Sequence, residues 1–181
     1  KLSDEDKETI SGVTFLGKNV TLGKIDSFTY IMNQTKNLGL AVNIISDYDR
    51  TNANEYIKRK NVLVIIPSLV ENSPYTVYEC LINNVNFLAS NVGGIPELIP
   101  QEHHAEVLFT PTPVDLYGKI HYRLKNINIK PGLVESQEHI QAAWFAAIER
   151  KDNSVFKKID ELNRPLVSVC ITHFERHHLL Q

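Results

Sequence analysis

The sequence predicts an α/β fold in which a mainly parallel sheet of about five strands is covered by helices. Three observations carry that expectation. Residues 62–66, Val-Leu-Val-Ile-Ile, are an unbroken apolar run of strand length, the pattern of a parallel strand with both faces covered. Further short apolar stretches at 13–17, 41–46, 87–90 and 106–109 alternate with segments of helical spacing. Between strand and helix lie turns rich in glycine, proline and polar residues. At 181 residues the chain accommodates one full domain, which buries roughly 70% of its unfolded surface.

Taken in order, residues 1–11 are a charged surface segment and 13–17 the first strand. A polar loop bounded by Gly17 and Gly23 leads to a helix over 24–37, where Ile25, Phe28, Ile31 and Met32 form one apolar face. This strand, glycine loop and helix do not make a P-loop, because five residues separate the glycines and Ile25 follows Lys24 where Ser or Thr is needed; GxGxxG is absent too. Residues 41–46 are the second strand, followed by Asp47-Tyr48-Asp49-Arg50 and a helix over 52–60. The run 62–66 is expected at the centre of the sheet. After it, Pro74 stands at a helix start, with Asn72 or Ser73 available as cap and the helix running over 75–81. Strand 87–90 enters the turn Asn91-Val92-Gly93-Gly94, then a short helix. A strand at 106–109, a helix over 112–125, a break at Pro131-Gly132 and a helix over 136–150 with Trp144, Phe145 and Ile148 on its apolar stripe complete a domain over 1–162. Residues 163–181 read as a linker and the first strand of a following domain.

A helix that opens at the carboxyl end of a buried parallel strand offers amides and a partial positive charge to an anion, and phosphate is the obvious candidate. Glu71 in the loop and Glu79 inside the helix bracket that position. Carboxylates accept hydrogen bonds from hydroxyls such as those of a ribose or a hexose, so the combination suggests a nucleotide-sugar. From spacing alone, two solvated glutamates on a surface loop and helix are the favoured explanation of the pair.

The segments PSLVENSPYTVYECL and NVNFLASNVGGIPELI together resemble the donor-binding domain of glycosyltransferase family 4, the retaining GT-B enzymes. The shared pattern is a proline-serine after a strand, a glutamate, seven residues, a second glutamate, and a strand ending in Gly-Gly-x-Pro-Glu. Where the family often has a glycine-aromatic-glycine loop, this chain has Asn72-Ser73-Pro74-Tyr75-Thr76. The resemblance implies a Rossmann-like sheet, one half of a GT-B fold, and hexose transfer from a nucleoside-diphosphate sugar to a glycan without a metal or other cofactor. It places Gly17 and Lys18, and with a one-residue offset Lys24, at the diphosphate. Glu71 would meet the sugar, Glu79 the ribose, and Asn72, Ser73, Tyr75 and Thr76 the donor. Ser46 to Tyr48, Asp47 among them, would lie near the base, although a turn of Asp residues explains that loop equally well. It also implies a further strand and helix between Asn37 and Ala41, where only three residues stand. An N-terminal acceptor-binding domain would precede this chain, which alone is expected to bind nucleotide weakly and transfer no sugar. Residues 165–176 resemble the first strand of a family 2, GT-A glycosyltransferase. A GT-B epimerase and a non-catalytic docking module of a larger synthase are the alternative functions.

A formal charge of −2 gives no basic footprint for nucleic acid. Cys80 and Cys170 are expected as buried reduced thiols, no run approaches the ~20 apolar residues of a membrane span, and a reducing cytoplasm fits best. Sequons at Asn19 and Asn33 read as chance, and His173, His177 and His178 form no HExxH pattern.

Overall fold

The computed structural model describes residues 2–126, 129–134, 138–139, 141–142 and 145–146. Residues from Lys1 to Val134 form one compact unit and 135–181 a second. The expected boundary at 162/163, the strand at 165–176, Cys170 and the C-terminal histidines lie outside the described residues. So does most of the helix expected over 136–150, whose described positions are helical.

The first unit is α/β. Ser3 caps helix α1 (Asp4–Thr9) through a capping box with Asp6. Strand β1 (Gly12–Leu16) leads into a two-strand hairpin, β2 (Thr21–Leu22) and β3 (Ile25–Asp26), where the sequence predicts loop and helix. Gly23, at φ +65°, is the first of the two residues in its turn, a position that favours glycine. Helix α2 (Ser27–Thr35) therefore starts three residues later than expected, with Asp26 accepting the Thr29 amide as its cap. A turn through Gly39 at φ +75° joins it to β4 (Ala41–Ile45), which pairs in parallel with β1. No additional strand and helix intervene between Asn37 and Ala41.

Helix α3 (Arg50–Ile57) is capped by Asp49 and leads to β5 (Val64–Ile66). Helix α4 (Tyr75–Ile82) ends on Asn84 at φ +53°, where Val85 N–H reaches Cys80 O at 2.8 Å and Asn84 N–H reaches Leu81 O at 3.1 Å. This pairing satisfies the last carbonyls and turns the chain into β6 (Phe87–Ser90). Two short 3₁₀ turns, Pro96–Leu98 and Gln101–His103, precede α5 (His104–Val107), β7 (Leu108–Phe109) and α6 (Pro113–Lys125). Thr112 caps α6 and Pro113 occupies its first turn.

The parallel strands do not form the single five-stranded sheet that the sequence predicts. Among the described residues they form two sheets, β1-β4 and β5-β6-β7. Strand β5 is also shorter than expected: Val62 N–H donates to Arg59 O in the turn after α3, and the strand keeps only Val64–Ile66. It is an edge rather than the centre, and Ile65 is 38% exposed. The central place belongs to β6, all four residues of which are buried between its two neighbours.

The core lies on this second sheet. Val77, Cys80 and Leu81 of α4 pack with Phe87, Ala89, Ile95, Ile99 and Val107, and Ile57 of α3 joins from the edge. No residue of β1, β4, α2 or α3 is fully buried. Fully buried Arg123 of α6 fixes the start of β6: its guanidinium donates to Asn86 Oδ1, to Phe87 O at 3.3 Å and to Ile129 O at 2.7 Å. Burial lowers its pKa, and the charge of Glu106 opposes that shift.

Candidate functional site

Within each sheet the strands are parallel, so the loops after β1 and β4 share one end, as do those after β5 and β6. Gly17 and Lys18 follow β1. Gly17 N–H extends the ladder to Ile45 O, and a Cβ at Gly17 would meet nothing within 4 Å. Lys18 Nζ donates to Ser46 O at 2.8 Å, joining the ends of β1 and β4 while the exposed ammonium keeps further donors. Exposed Asp47 is the next residue of that loop. Lys24 is the second residue of the hairpin turn, also exposed, rather than the start of a helix.

The loop after β5 holds Glu71. Its Oε1 accepts the amides of Asn72 and Ser73, both at 3.1 Å, while Tyr75 N–H donates to Ser73 O at 2.8 Å. The expected side-chain cap from Asn72 or Ser73 is not formed. Pro74 takes the cap position of α4 with no side-chain bond. The amides of Asn72, Ser73 and Tyr75 are therefore not a free anion cradle: the first two hold the Glu71 carboxylate and the third closes the loop on Ser73 O.

This loop lies directly on the glycine turn after β6. Gly93 has φ +53°, and a Cβ there would overlap Glu71 O and come within 2.8 Å of Glu71 C. Gly94 N–H donates weakly to Glu71 O at 3.4 Å. Buried Ser90, the last residue of β6, donates to Ser68 O at 2.5 Å and tethers the start of the same loop. The glutamate segment and the Gly-Gly-Ile-Pro-Glu segment thus meet through the main chain, with glycine needed at the closest approach.

Glu79 sits one turn inside α4. Arg50, the first residue of α3, donates to its Oε1 through Nε at 2.8 Å and Nη2 at 2.6 Å. That pair links the start of α3 to α4. Sequence reasoning named Arg50 only as a turn residue. Its signal was a positive charge in the first turn of a helix, where the helix dipole disfavours it unless an anion is near. Next to Glu79, the Cys80 thiol is buried and its pKa is raised to about 12, first by burial and then by the Glu79 charge, so it is inert as a nucleophile.

Tyr75 and Thr76 are exposed on the first turn of α4. Ser73, Pro74, Tyr75, Tyr78 and Leu98 line an open pocket of about 220 Å³. A larger groove of about 610 Å³ is lined by Pro96, Glu97, His104 and Leu133 among others, and by none of Lys18, Glu71 and Glu79. Among the described residues no group of three or more His, Cys, Asp or Glu is arranged to hold a metal, and no helix is long and apolar enough to cross a membrane.

Comparison with known proteins finds no matching family model and no significant match among curated proteins.

Proposed function

We propose that this chain is the nucleotide-sugar-binding part of a retaining glycosyltransferase that moves a hexose from a nucleoside diphosphate to a glycan. One observation carries the reading: the Glu71 loop rests on the Gly93-Gly94 turn at the carboxyl ends of β5 and β6. The two sequence segments whose combination suggests a donor site are in physical contact, at the end of a parallel sheet where α/β proteins bind ligands.

In this proposal Lys18, with Lys24 from the hairpin, compensates the leaving diphosphate, and Glu79 accepts the ribose hydroxyls. Glu71, aligned by the amides of Asn72 and Ser73, faces the sugar. Tyr75 and Thr76 border the donor and Asp47 the base. No metal has a role.

A docking module of a larger synthase is the second reading. Leu69, Val70 and Tyr75 beside Glu71 favour it, being 75%, 88% and 64% exposed.

Calorimetric titration with UDP, GDP and ADP, with and without magnesium, separates the two. The donor-binding reading expects one nucleotide to bind without magnesium, and Glu79→Ala to weaken it by about 1 to 3 kcal/mol. Absence of binding to all three, with retained association to a synthase partner, supports docking instead.

A further inference from the structure

Arg50 opens α3, and its guanidinium leaves its own helix for a glutamate 29 residues away. Both donors converge on one oxygen, with Nε at 2.8 Å and Nη2 at 2.6 Å from Glu79 Oε1. Oε2 receives no bond among the described residues. The partners differ in exposure: the Glu79 side chain is 20% exposed and that of Arg50 80%. The carboxylate is thus the sheltered member of the pair, held from outside by a solvated arginine.

A lone glutamate on a helix samples several rotamers and loses that freedom when a ligand captures it. A planar guanidinium that grips one carboxylate oxygen through two N–H groups fixes the rotamer beforehand and leaves the other oxygen available. We infer that Arg50 is a positioning residue, orienting Glu79 so that Oε2 accepts from the hydroxyl pair of a nucleotide ribose. This rests on the donor-binding reading above. The arginine acts through the glutamate and discriminates ribose from deoxyribose without touching the ligand. Because Arg50 is largely solvated, the effect is modest, in the range of an exposed ion pair.

The test is calorimetric titration of the chain and of Arg50→Gln and Arg50→Lys at low salt. The probes are whichever of UDP, GDP and ADP binds and its 2′,3′-dideoxy counterpart. Wild type is expected to prefer the ribonucleotide. Arg50→Gln should weaken ribonucleotide binding about threefold to fivefold while leaving the dideoxy form within about twofold. Arg50→Lys, with one compact donor group, should fall between. Equal loss for both nucleotides means that Arg50 contacts the ligand or the fold directly and overturns the inference. Undiminished discrimination in Arg50→Gln overturns it as well. If wild type itself does not distinguish the two nucleotides, or binds neither, the ribose role of Glu79 fails first and this inference falls with it. That outcome is distinguishable because it appears before any variant is compared.

Discussion

Gly93 illustrates how one residue joins two segments. Its φ of +53° alone disfavours any side chain, and a Cβ would overlap the Glu71 carbonyl. Left-handed backbone costs an L-residue roughly 1–2 kcal/mol, to which displacement of the Glu71 loop adds. Gly93→Ala should therefore lower stability by at least about 1 to 2 kcal/mol in urea unfolding, whereas an unchanged midpoint would mean that the loop yields freely. Arg123 makes the converse case of a long side chain that fills rather than vacates space. Its truncation to Ala strands the buried Asn86 Oδ1 and Phe87 O, each costing about 1–3 kcal/mol when unpaired, and removes the part-buried bond to Ile129 O. The expected loss is about 3 kcal/mol or more, and a melting temperature equal to wild type would contradict it. Neither role was legible beforehand. A glycine turn after a strand was expected at 91–94, but its contact with Glu71 depends on tertiary approach. An arginine inside an amphipathic helix looks like a solvated charge until the helix is docked.

At the scale of elements, a contact between Asp6 and His121 joins α1 to α6. Asp6, 3% exposed, accepts from Ser3 in its capping box, and its Oδ1 lies 2.8 Å from His121 Nδ1. These contacts, the Ser3 hydroxyl first, lower its pKa from 3.8 to about 2. A carboxyl lowered on folding contributes stability that is complete above its unfolded value and lost as pH falls through the folded value. Undocking of α1 is therefore expected between about pH 4 and pH 2, read by hydrogen exchange of its amides, and Asp6→Asn should abolish that step. Amide protection, taken relative to the intrinsic exchange rate, that stays constant across that window would exclude the pair as the clasp. Element prediction succeeded where composition and caps agreed. Strand β6 is continuous, apolar and bounded by Asn86 and Asn91, and α6 carries Thr112 and Pro113 at its start. It failed at 21–26, because strands of two residues have no period to detect. It also overextended β5, because the turn after α3 takes residues that are apolar enough for a strand.

At the scale of the molecule, an α/β unit with parallel strands was legible, and the division of those strands between two sheets, where one was expected, was not. Sheet continuity depends on whether the edges of β1 and β5 meet, which no local pattern encodes. Three of the expected donor residues make contacts between segments: Lys18 with Ser46, Glu79 with Arg50, and Glu71 with Gly94. Lys24 is exposed on its hairpin turn. The central claim is that these loops receive one ligand, a nucleoside diphosphate. Amide chemical-shift mapping during titration with the nucleoside diphosphate that binds tests it most directly. The account predicts shifts at Lys18, Asp47, Glu71, Thr76 and Glu79, with the groove of about 610 Å³ beside Pro96 and His104 unaffected. Shifts confined to that groove, or none on any loop of the first unit, would contradict it.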